Sequence, residues 1–263
     1  MFKNLRALLK YRQLIQSMVA RELKARYRGS VLGFFWSFIN PLLLLLVYTF
    51  VFSYVLPARQ PNLDPYALFL FCGILPWTWF SSSILESANV LISGGNLIKK
   101  VLFPAEVLPF VTVLANMVHF FLGLPILVGF LIYYRAPLQL TELVWFPAIV
   151  FIQLILTLGI ALVVSALTVH FRDLKDILSN LVTFWFFATP IIYSMQDAPA
   201  IAKRFLNVNP FTHLAISYQE VLFYNGNFGH WKWLLALGAG SVALFLAGYY
   251  LFDRLRDTFA EEV

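Results

Sequence analysis

The chain has 263 residues, of which 60% are hydrophobic and only 12% are charged, and its formal net charge is +6. A soluble globular domain is about half apolar and about one quarter charged, so this composition excludes an ordinary soluble domain and indicates a polytopic membrane protein. The single cysteine, Cys72, excludes an intrachain disulfide, and the basic excess suits an anionic lipid leaflet rather than nucleic acid.

The first 30 residues are polar and basic, yet they carry a helical pattern. Apolar side chains recur at spacings of three and four, and polar or basic side chains fall opposite to them. This pattern predicts an amphipathic helix within residues 1–30 that lies in the membrane interface, with a cytosolic helix packed on a partner as the alternative. The apolar positions are Leu14, Ile15, Met18, Val19, Leu23 and Tyr27.

An uncharged apolar run follows, from Val31 to about Leu56. It is longer than the roughly 20 residues that cross a bilayer, which predicts the first membrane span. Gly29 and Gly33 are expected to let the chain turn from the interface into this span, and Pro41 is expected to kink it.

Five more apolar runs predict an all-α domain of six transmembrane helices over residues 31–263. The stretch 196–230 is too polar to span, but its apolar residues recur at helical spacing from Leu214 to Leu222. We expect two short helices here that re-enter the membrane, the second beginning at Pro210, with a surface hairpin as the alternative. The five further spans are expected at about 66–85, 105–134, 143–169, 177–195 and 233–252.

Lysine and arginine residues are distributed unevenly between the two predicted sides. With the N-terminus inside, the cytoplasmic segments hold fourteen of them and the outer segments hold five. Because basic residues concentrate on the cytoplasmic side, both termini are expected to be cytoplasmic.

The sequence lacks the motifs of several catalytic and binding sites. It contains no G-x-x-x-x-G-K-[ST] loop to hold ATP phosphates and no Cys/His spacing for a metal. The predicted spans carry almost no ionisable groups, which argues against proton coupling and against a membrane-embedded enzyme. A lone His119 is interpreted as hydrogen-bonded within the helix bundle.

The residues from Arg26 to Pro41 follow the pattern R-Y-R-G-S-x-L-G-x-x-W-x-x-x-x-P. This pattern resembles the signature of the permease subunits of ATP-binding-cassette exporters of polysaccharides and polyol phosphates. Further landmarks of that family follow in the same order, while Tyr218 to Glu220 depart from it where a basic residue is expected in relatives. The landmarks are Gly73–Trp77, Asn96–Pro104, Phe171–Asp173, Pro190–Tyr193 and Asn209–Pro210.

The resemblance implies a homodimer in the bacterial inner membrane that works with two cytoplasmic ATPase subunits. ATP and Mg²⁺ would be bound by those partners, and this chain would bind membrane lipid, a lipid-linked glycan and no cofactor. It also implies an interface helix, a coupling helix between spans two and three, and re-entrant helices before span six. An exporter of a drug or lipid, or a membrane enzyme of envelope-glycan synthesis, remains an alternative.

Three groups of residues follow as candidate sites. The coupling segment, residues 86–104, is expected to carry the ATPase contact, because Gly94 and Gly95 would break a helix before it and Pro104 would end it. Aromatic side chains in the spans could stack on sugar rings, or they could equally face lipid. The expected ATPase contacts are Asn96, Leu97, Ile98, Lys99, Lys100, Val101, Arg26, Arg28, Arg172 and Asp173; the expected substrate path is Trp36, Trp77, Trp185, Phe186 and Tyr193; the expected outer gate is Asn209, Pro210 and Tyr218.

Overall fold

The computed structural model describes residues 10–51, 55, 63–99, 103–136, 139 and 141–262, and the regular structure in these residues is entirely helical. The all-α prediction is confirmed. In chain order the helices are α1 (Arg12–Arg26), α2 (Trp36–Phe50), α3 (Tyr66–Ser93), α4 (Gly95–Ile98), α5 (Val107–Tyr133), α6 (Phe146–His170), α7 (Leu174–Phe187), α8 (Ala200–Leu206), α9 (Pro210–Leu222), α10 (Trp231–Leu255) and α11 (Phe259–Glu262).

Among the described residues, four helical segments are long and apolar enough to cross a membrane. They correspond to four of the six predicted spans. The other two predicted spans contain shorter helices, α2 with 15 residues and α7 with 14. Part of the first predicted span, at residues 52–54 and 56, lies outside the described residues. The four long segments are Tyr66–Ser93, Val107–Tyr133, Glu142–His170 and Trp231–Thr258.

Two helix ends differ from the predicted span boundaries. The second span was expected to end at Leu85, but α3 continues as a helix to Ser93. The charge of Glu86, which suggested the end of the span, is paired inside the bundle with Arg26. The fifth span was expected to reach residue 195, but α7 ends at Phe187. Helices usually end before a proline, because Pro190 disfavours helical backbone at the residue that precedes it.

Helix α3 is the centre of the bundle, packed against α2, α5, α6, α7 and α9. Every residue from Ala67 to Trp77 is buried. A helix that is apolar around its whole circumference is expected to lie inside a bundle, and α3 fits that description. Of the other long helices, α5 and α6 pack directly on α3, and α10 packs on α6 in the most extensive pairwise contact.

Helix α1 lies against α5, and its half-buried positions include all six of the predicted apolar ones. The chain then turns at two glycines with left-handed backbone, Gly29 at φ 81° and Gly33 at φ 50°. Left-handed backbone strains a side chain with a Cβ, so these positions favour glycine. The predicted turn between the basic helix and the apolar run is therefore confirmed.

Residues 196–230 contain the two short helices that the sequence predicts, α8 and α9. Asn209 caps α9 by accepting a hydrogen bond from the Phe211 N–H at 3.0 Å, and Pro210 occupies the first turn, as expected. Most of α9 is buried against α3, α6 and α10. Its entry into a membrane remains a prediction.

Candidate functional site

A cavity of about 520 Å³ lies among α1, α2, α3 and α5. We call it the Arg26 cavity, after the residue on its polar side. Its wall combines aromatic rings, such as those of Trp36 and Trp79, with amide and hydroxyl groups from α2, α3 and α5 and the guanidinium of Arg26 from α1. The residues lining it are Arg26, Tyr27, Ser30, Trp36, Ser37, Asn40, Pro41, Leu44, Phe71, Ile74, Leu75, Thr78, Trp79, Ser82, Asn116, His119 and Phe120.

Arg26 connects three helices on one side of this cavity. Its guanidinium donates to the Glu86 carboxylate and, at 3.0 Å, to Asn116 Oδ1, and it lies 3.5 Å from Glu22. The Asn116 amide also donates to Glu86 at 2.7 Å, which closes a three-residue network. Because hydrogen bonds to charged groups are stronger than neutral ones, this network fixes the end of α1 to α3 and α5.

Tyr27 makes a second connection beside the first. Its hydroxyl is hydrogen-bonded to Ser37 at the start of α2 and to His119 Nδ1 on α5 at 3.2 Å. The interpretation of His119 as hydrogen-bonded within the bundle is confirmed, although its Nε2 is buried without a partner among the described residues. Trp36 Nε1 donates to the Ser30 hydroxyl at 3.1 Å, which fixes the turn between α1 and α2.

The chemistry of the Arg26 cavity suits recognition rather than catalysis. The positive charge of Arg26 is balanced by Glu86, so the wall carries no unbalanced cation to attract an anion. Amides, hydroxyls and flat aromatic faces fit an uncharged group that carries hydroxyls. The described residues contain no group of three or more His, Cys, Asp or Glu side chains placed to hold a metal ion.

The predicted ATPase contacts fall into three structural groups. Asn96, Lys99, Arg28, Arg172 and Asp173 are exposed, so they are accessible to a partner. Two of the predicted contacts, Lys100 and Val101, lie outside the described residues. The remaining three predicted contacts are engaged inside the chain, as the next paragraph describes.

Leu97 and Ile98 are half-buried in a hydrophobic cluster that includes Phe252 and Phe259 of the C-terminal region. Arg26 lines the Arg26 cavity, where it is hydrogen-bonded to Glu86 and Asn116. The regular helix in the coupling segment is also shorter than expected, since α4 is a single turn of four residues. The exposed face of α4 is thus polar, and its apolar face packs on the chain itself.

Of the five predicted substrate-path residues, only Trp36 lines the Arg26 cavity. Tyr193 donates through its hydroxyl to the Phe187 carbonyl at 3.1 Å. The other three belong to an aromatic cluster that joins α3, α7 and α9, and Trp185 in this cluster donates to Asn209 Oδ1 at 2.6 Å. The members of the aromatic cluster are Trp77, Phe80, Trp185, Phe186 and Phe211.

The predicted outer-gate residues are likewise part of the packed interior. Asn209 also donates to the Ala188 carbonyl and to the Thr189 hydroxyl, both at 2.9 Å. Tyr218 is fully buried, and its ring contacts Phe120 and Phe146.

Several residues of the Arg26 cavity were missed by the sequence interpretation. Ser37 and Asn40 on α2, like Asn116 and His119 on α5, are polar residues three positions apart in otherwise apolar helices. Residues three apart share one helix face, so each pair could have been recognised as a polar patch turned towards a neighbouring helix. The pattern does not reveal that the two patches face each other.

We expect Tyr218→Phe to leave stability unchanged or to raise it. The Tyr218 hydroxyl is buried and has no hydrogen-bond partner among the described residues. An unsatisfied buried polar group costs about 1–3 kcal/mol, so its removal relieves a penalty. Thermal unfolding of the purified variant measures the effect, and a clear loss of stability would show that the hydroxyl has a partner in the assembled protein.

A histidine pair lies between α9 and the start of α10. His213 Nδ1 and His230 Nε2 are 2.9 Å apart, and His213 Nε2 donates to the Asn207 carbonyl at 2.9 Å. With this bonding, His230 Nε2–H donates to His213 Nδ1 and both rings are neutral. The pKa of His230 is lowered to about 4, mainly because its ring is buried and secondly because of repulsion from the positive charge that His213 carries when protonated.

This pair predicts a loss of stability in acid. The unfolded chain gains a proton on His230 below its ordinary pKa of about 6.5, whereas the folded chain resists protonation down to about 4. Stability is therefore complete above pH 6.5 and falls as the pH falls towards 4. Thermal unfolding from pH 7.5 to 4.5 measures this, and His230→Gln should show a shallower decline; identical slopes would exclude His230 as the source.

Comparison with known proteins identifies relatives of the whole chain. The sequence model of the family described as ABC-2 type transporter matches residues 13–223. The chain is 43% identical to the O-antigen export system permease protein RfbA of Myxococcus xanthus, over 100% of both sequences. It is 35% identical to the protein of the same name from Klebsiella pneumoniae, over 92% of this chain and 91% of the relative. The polysialic acid transport protein KpsM of Escherichia coli is 24% identical, over 79% of this chain and 80% of that protein.

Proposed function

The chain belongs to the ABC-2 type transporter family, and we propose that it is the permease subunit of an ATP-driven exporter of a lipid-linked, O-antigen-like polysaccharide. The observation that carries this proposal is the 43% identity to an O-antigen export permease over the whole of both chains. That alignment covers both sequences from end to end. The bundle of long apolar helices supports a multi-pass membrane protein.

The permease would work as a homodimer with two ATPase subunits that bind ATP and Mg²⁺. The sequence itself has no phosphate-binding loop, so the energy must come from another chain. Two helices present apolar side chains outward, which supports their role in contacts with a second copy or with lipid. These side chains are Leu42, Leu43, Leu46 and Val47 on α2, and Ile177, Leu181, Phe184 and Phe187 on α7.

The bacterial inner membrane is the proposed location, with both termini in the cytoplasm. The fourteen-to-five distribution of basic residues supports this orientation. In it, α1 lies in the inner membrane interface and α9 re-enters from the outer face. The exposed Asn96, Lys99 and Arg172 would then share the cytoplasmic side with the ATPase.

The Arg26 cavity is the proposed site where the uncharged part of the substrate first contacts the permease. Trp36 and Trp79 supply flat apolar faces, and Asn40 and Ser82 supply hydrogen-bonding groups. Sugars offer both hydroxyls and apolar ring faces, so this lining is complementary to them. Because Arg26 joins the end of α1 to α3 and α5, a movement of α1 caused by the ATPase would be transmitted to the cavity through Arg26.

Deletion of the gene in its native cell tests the proposed function. The expected result is loss of surface polysaccharide with accumulation of the lipid-linked glycan inside the cell, restored by the intact gene. Unchanged surface polysaccharide, or loss of a drug-resistance or lipid phenotype alone, would contradict the proposal and favour another exported substrate.

Cysteine labelling tests the orientation independently. Ser93 ends α3 and is exposed, whereas Asn227 is exposed in the loop before α10. With a membrane-impermeant maleimide on intact cells, we expect Asn227→Cys to react and Ser93→Cys to react only after the membrane is opened. Cys72 is fully buried and should not contribute. Reaction of Ser93→Cys in intact cells would contradict the proposed orientation and indicate the reverse one.

A further inference from the structure

A second cavity, of about 420 Å³, lies at the end of the bundle where α3 begins. We call it the Glu220 pocket. Its location follows from ring contacts of Phe69, in the first turn of α3, with Phe223 and Tyr224 beside the pocket. None of its lining residues belongs to the lining of the Arg26 cavity, so the two cavities are separate.

Most of the residues that line the Glu220 pocket have polar side chains, and many of these come from three segments. The turn after α7 supplies Ser194 and Gln196, α9 supplies Gln219 and Glu220, and the loop before α10 supplies Asn227. Gln219 and Ser194 are buried, whereas Gln196 and Asn227 are exposed. The pocket thus has a buried floor and an exposed rim, which is the shape of an open binding site rather than an internal void.

The pocket is held in shape by hydrogen bonds from its own wall. Gln219 Nε2 donates to the Pro190 carbonyl at 2.8 Å, and the Tyr224 and Ser194 hydroxyls are 3.3 Å apart. Glu220 Oε2 accepts from the backbone N–H groups of Gly229 and His230, both at 3.0 Å. These bonds join all three segments, so the wall is preorganised before any ligand binds.

The charge of the wall selects among ligands. Among the described residues that line the pocket, Glu220 is an acid and none is a lysine or arginine. Lys203 lies near the rim, but its ammonium donates to the Gln196 carbonyl at 2.8 Å. A carboxylate with amides and hydroxyls around it repels an anion and offers acceptors and donors to hydroxyl groups.

From this arrangement we propose that the Glu220 pocket binds an uncharged sugar residue of the exported glycan. The inference rests on the proposed function, because export is what brings a glycan to this end of the bundle. The volume lies within the range of small-molecule sites, and the carboxylate and amides supply the directional hydrogen bonds that such sites use. A sugar held here is retained on the exit side and is hindered from sliding back.

Protection of an introduced cysteine tests the proposal in the intact exporter. Asn227 is exposed at the rim, and the hydrogen bonds described above for the wall do not involve its side chain, so Asn227→Cys leaves those bonds in place. Its labelling by an impermeant maleimide is compared in cells that make the polysaccharide and in cells blocked in its synthesis. We expect about threefold slower labelling when the glycan is made, which corresponds to a site occupied two thirds of the time.

The matched control is Ile201→Cys on the exposed face of α8, which does not line the pocket. Its labelling should be equal in the two strains. Equal labelling of Asn227→Cys in both strains, with surface polysaccharide still exported, would overturn the pocket proposal and leave the proposed function intact. Absence of export from the wild-type chain would instead overturn the proposed function. No labelling of Asn227→Cys in either strain would show that the pocket is closed, which also overturns the proposal.

A measurement on the purified protein tests the chemical class. Asn227→Cys protein in nanodiscs is labelled in the presence of N-acetylglucosamine or of glucuronate at equal high concentration. We expect the neutral sugar to slow labelling and the acidic sugar to have no effect, since Glu220 repels its carboxylate. Equal slowing by both sugars, or by neither, would contradict an uncharged-sugar site.

Discussion

Arg26→Ala is expected to reduce export at least about tenfold while the chain still inserts into the membrane. The variant leaves the Glu86 carboxylate and the Asn116 amide without their shared donor. Hydrogen bonds to charged groups contribute about 1.5–3 kcal/mol each, so the end of α1 would lose its attachment to α3 and α5. Surface polysaccharide, normalised to the amount of inserted permease, measures the loss.

Three further variants distinguish this attachment from a general need for positive charge. Lys24→Ala removes an exposed basic residue two positions away and should retain export. Glu86→Gln should reduce export as Arg26→Ala does, because it removes the same ion pair. The exchange of Arg26→Glu with Glu86→Arg should recover part of the loss. Equal defects in Arg26→Ala and Lys24→Ala would indicate a role in lipid or partner binding instead.

Gly248→Ala is expected to destabilise the bundle more than other conservative changes in α10. A Cβ at this position would lie 2.6 Å from the Gly159 carbonyl oxygen and 3.1 Å from the Val163 side chain. Close approach of α6 and α10 depends on small residues, and overpacking costs about 1–3 kcal/mol. The helices would have to separate, and we expect a lower thermal midpoint and a smaller monodisperse fraction on size-exclusion chromatography.

Gly240→Ala is the matched control for this prediction. It lies on the same helix, and a Cβ there meets nothing within 4 Å. Alanine has a higher helix propensity than glycine, so Gly240→Ala should leave stability unchanged or raise it. If both variants were equally stable, the contact between α6 and α10 would not be the close approach that the structure describes.

Local sequence signals predicted the parts of the fold that depend on local backbone chemistry. Pro210 predicted the start of α9, because proline lacks the N–H group that the first turn of a helix leaves without a partner. Gly29 and Gly33 predicted a turn that requires left-handed backbone. Long apolar runs predicted the four long helices, because their length and composition do not depend on their neighbours.

Features that depend on contacts between distant residues could not be predicted in the same way. The charge of Glu86 was interpreted as marking the end of a span, because the sequence does not show that Glu86 pairs with Arg26, 60 positions away. Trp77 and Trp185 were assigned to a substrate path, but they pack on each other and on α9, because aromatic composition does not distinguish a channel wall from a core. Ile98 was assigned to an ATPase groove, while its apolar face packs on the C-terminal region.

The most direct test of the proposed function is transport by the purified exporter. The chain would be co-expressed with its ATPase and reconstituted in liposomes, and accessibility of the lipid-linked glycan to an enclosed glycan-cleaving enzyme would be measured. We predict cleavage that requires ATP and that falls with Arg26→Ala but not with Lys24→Ala. ATP hydrolysis by an intact complex without any ATP-dependent cleavage of the glycan would contradict the proposal that this chain exports polysaccharide.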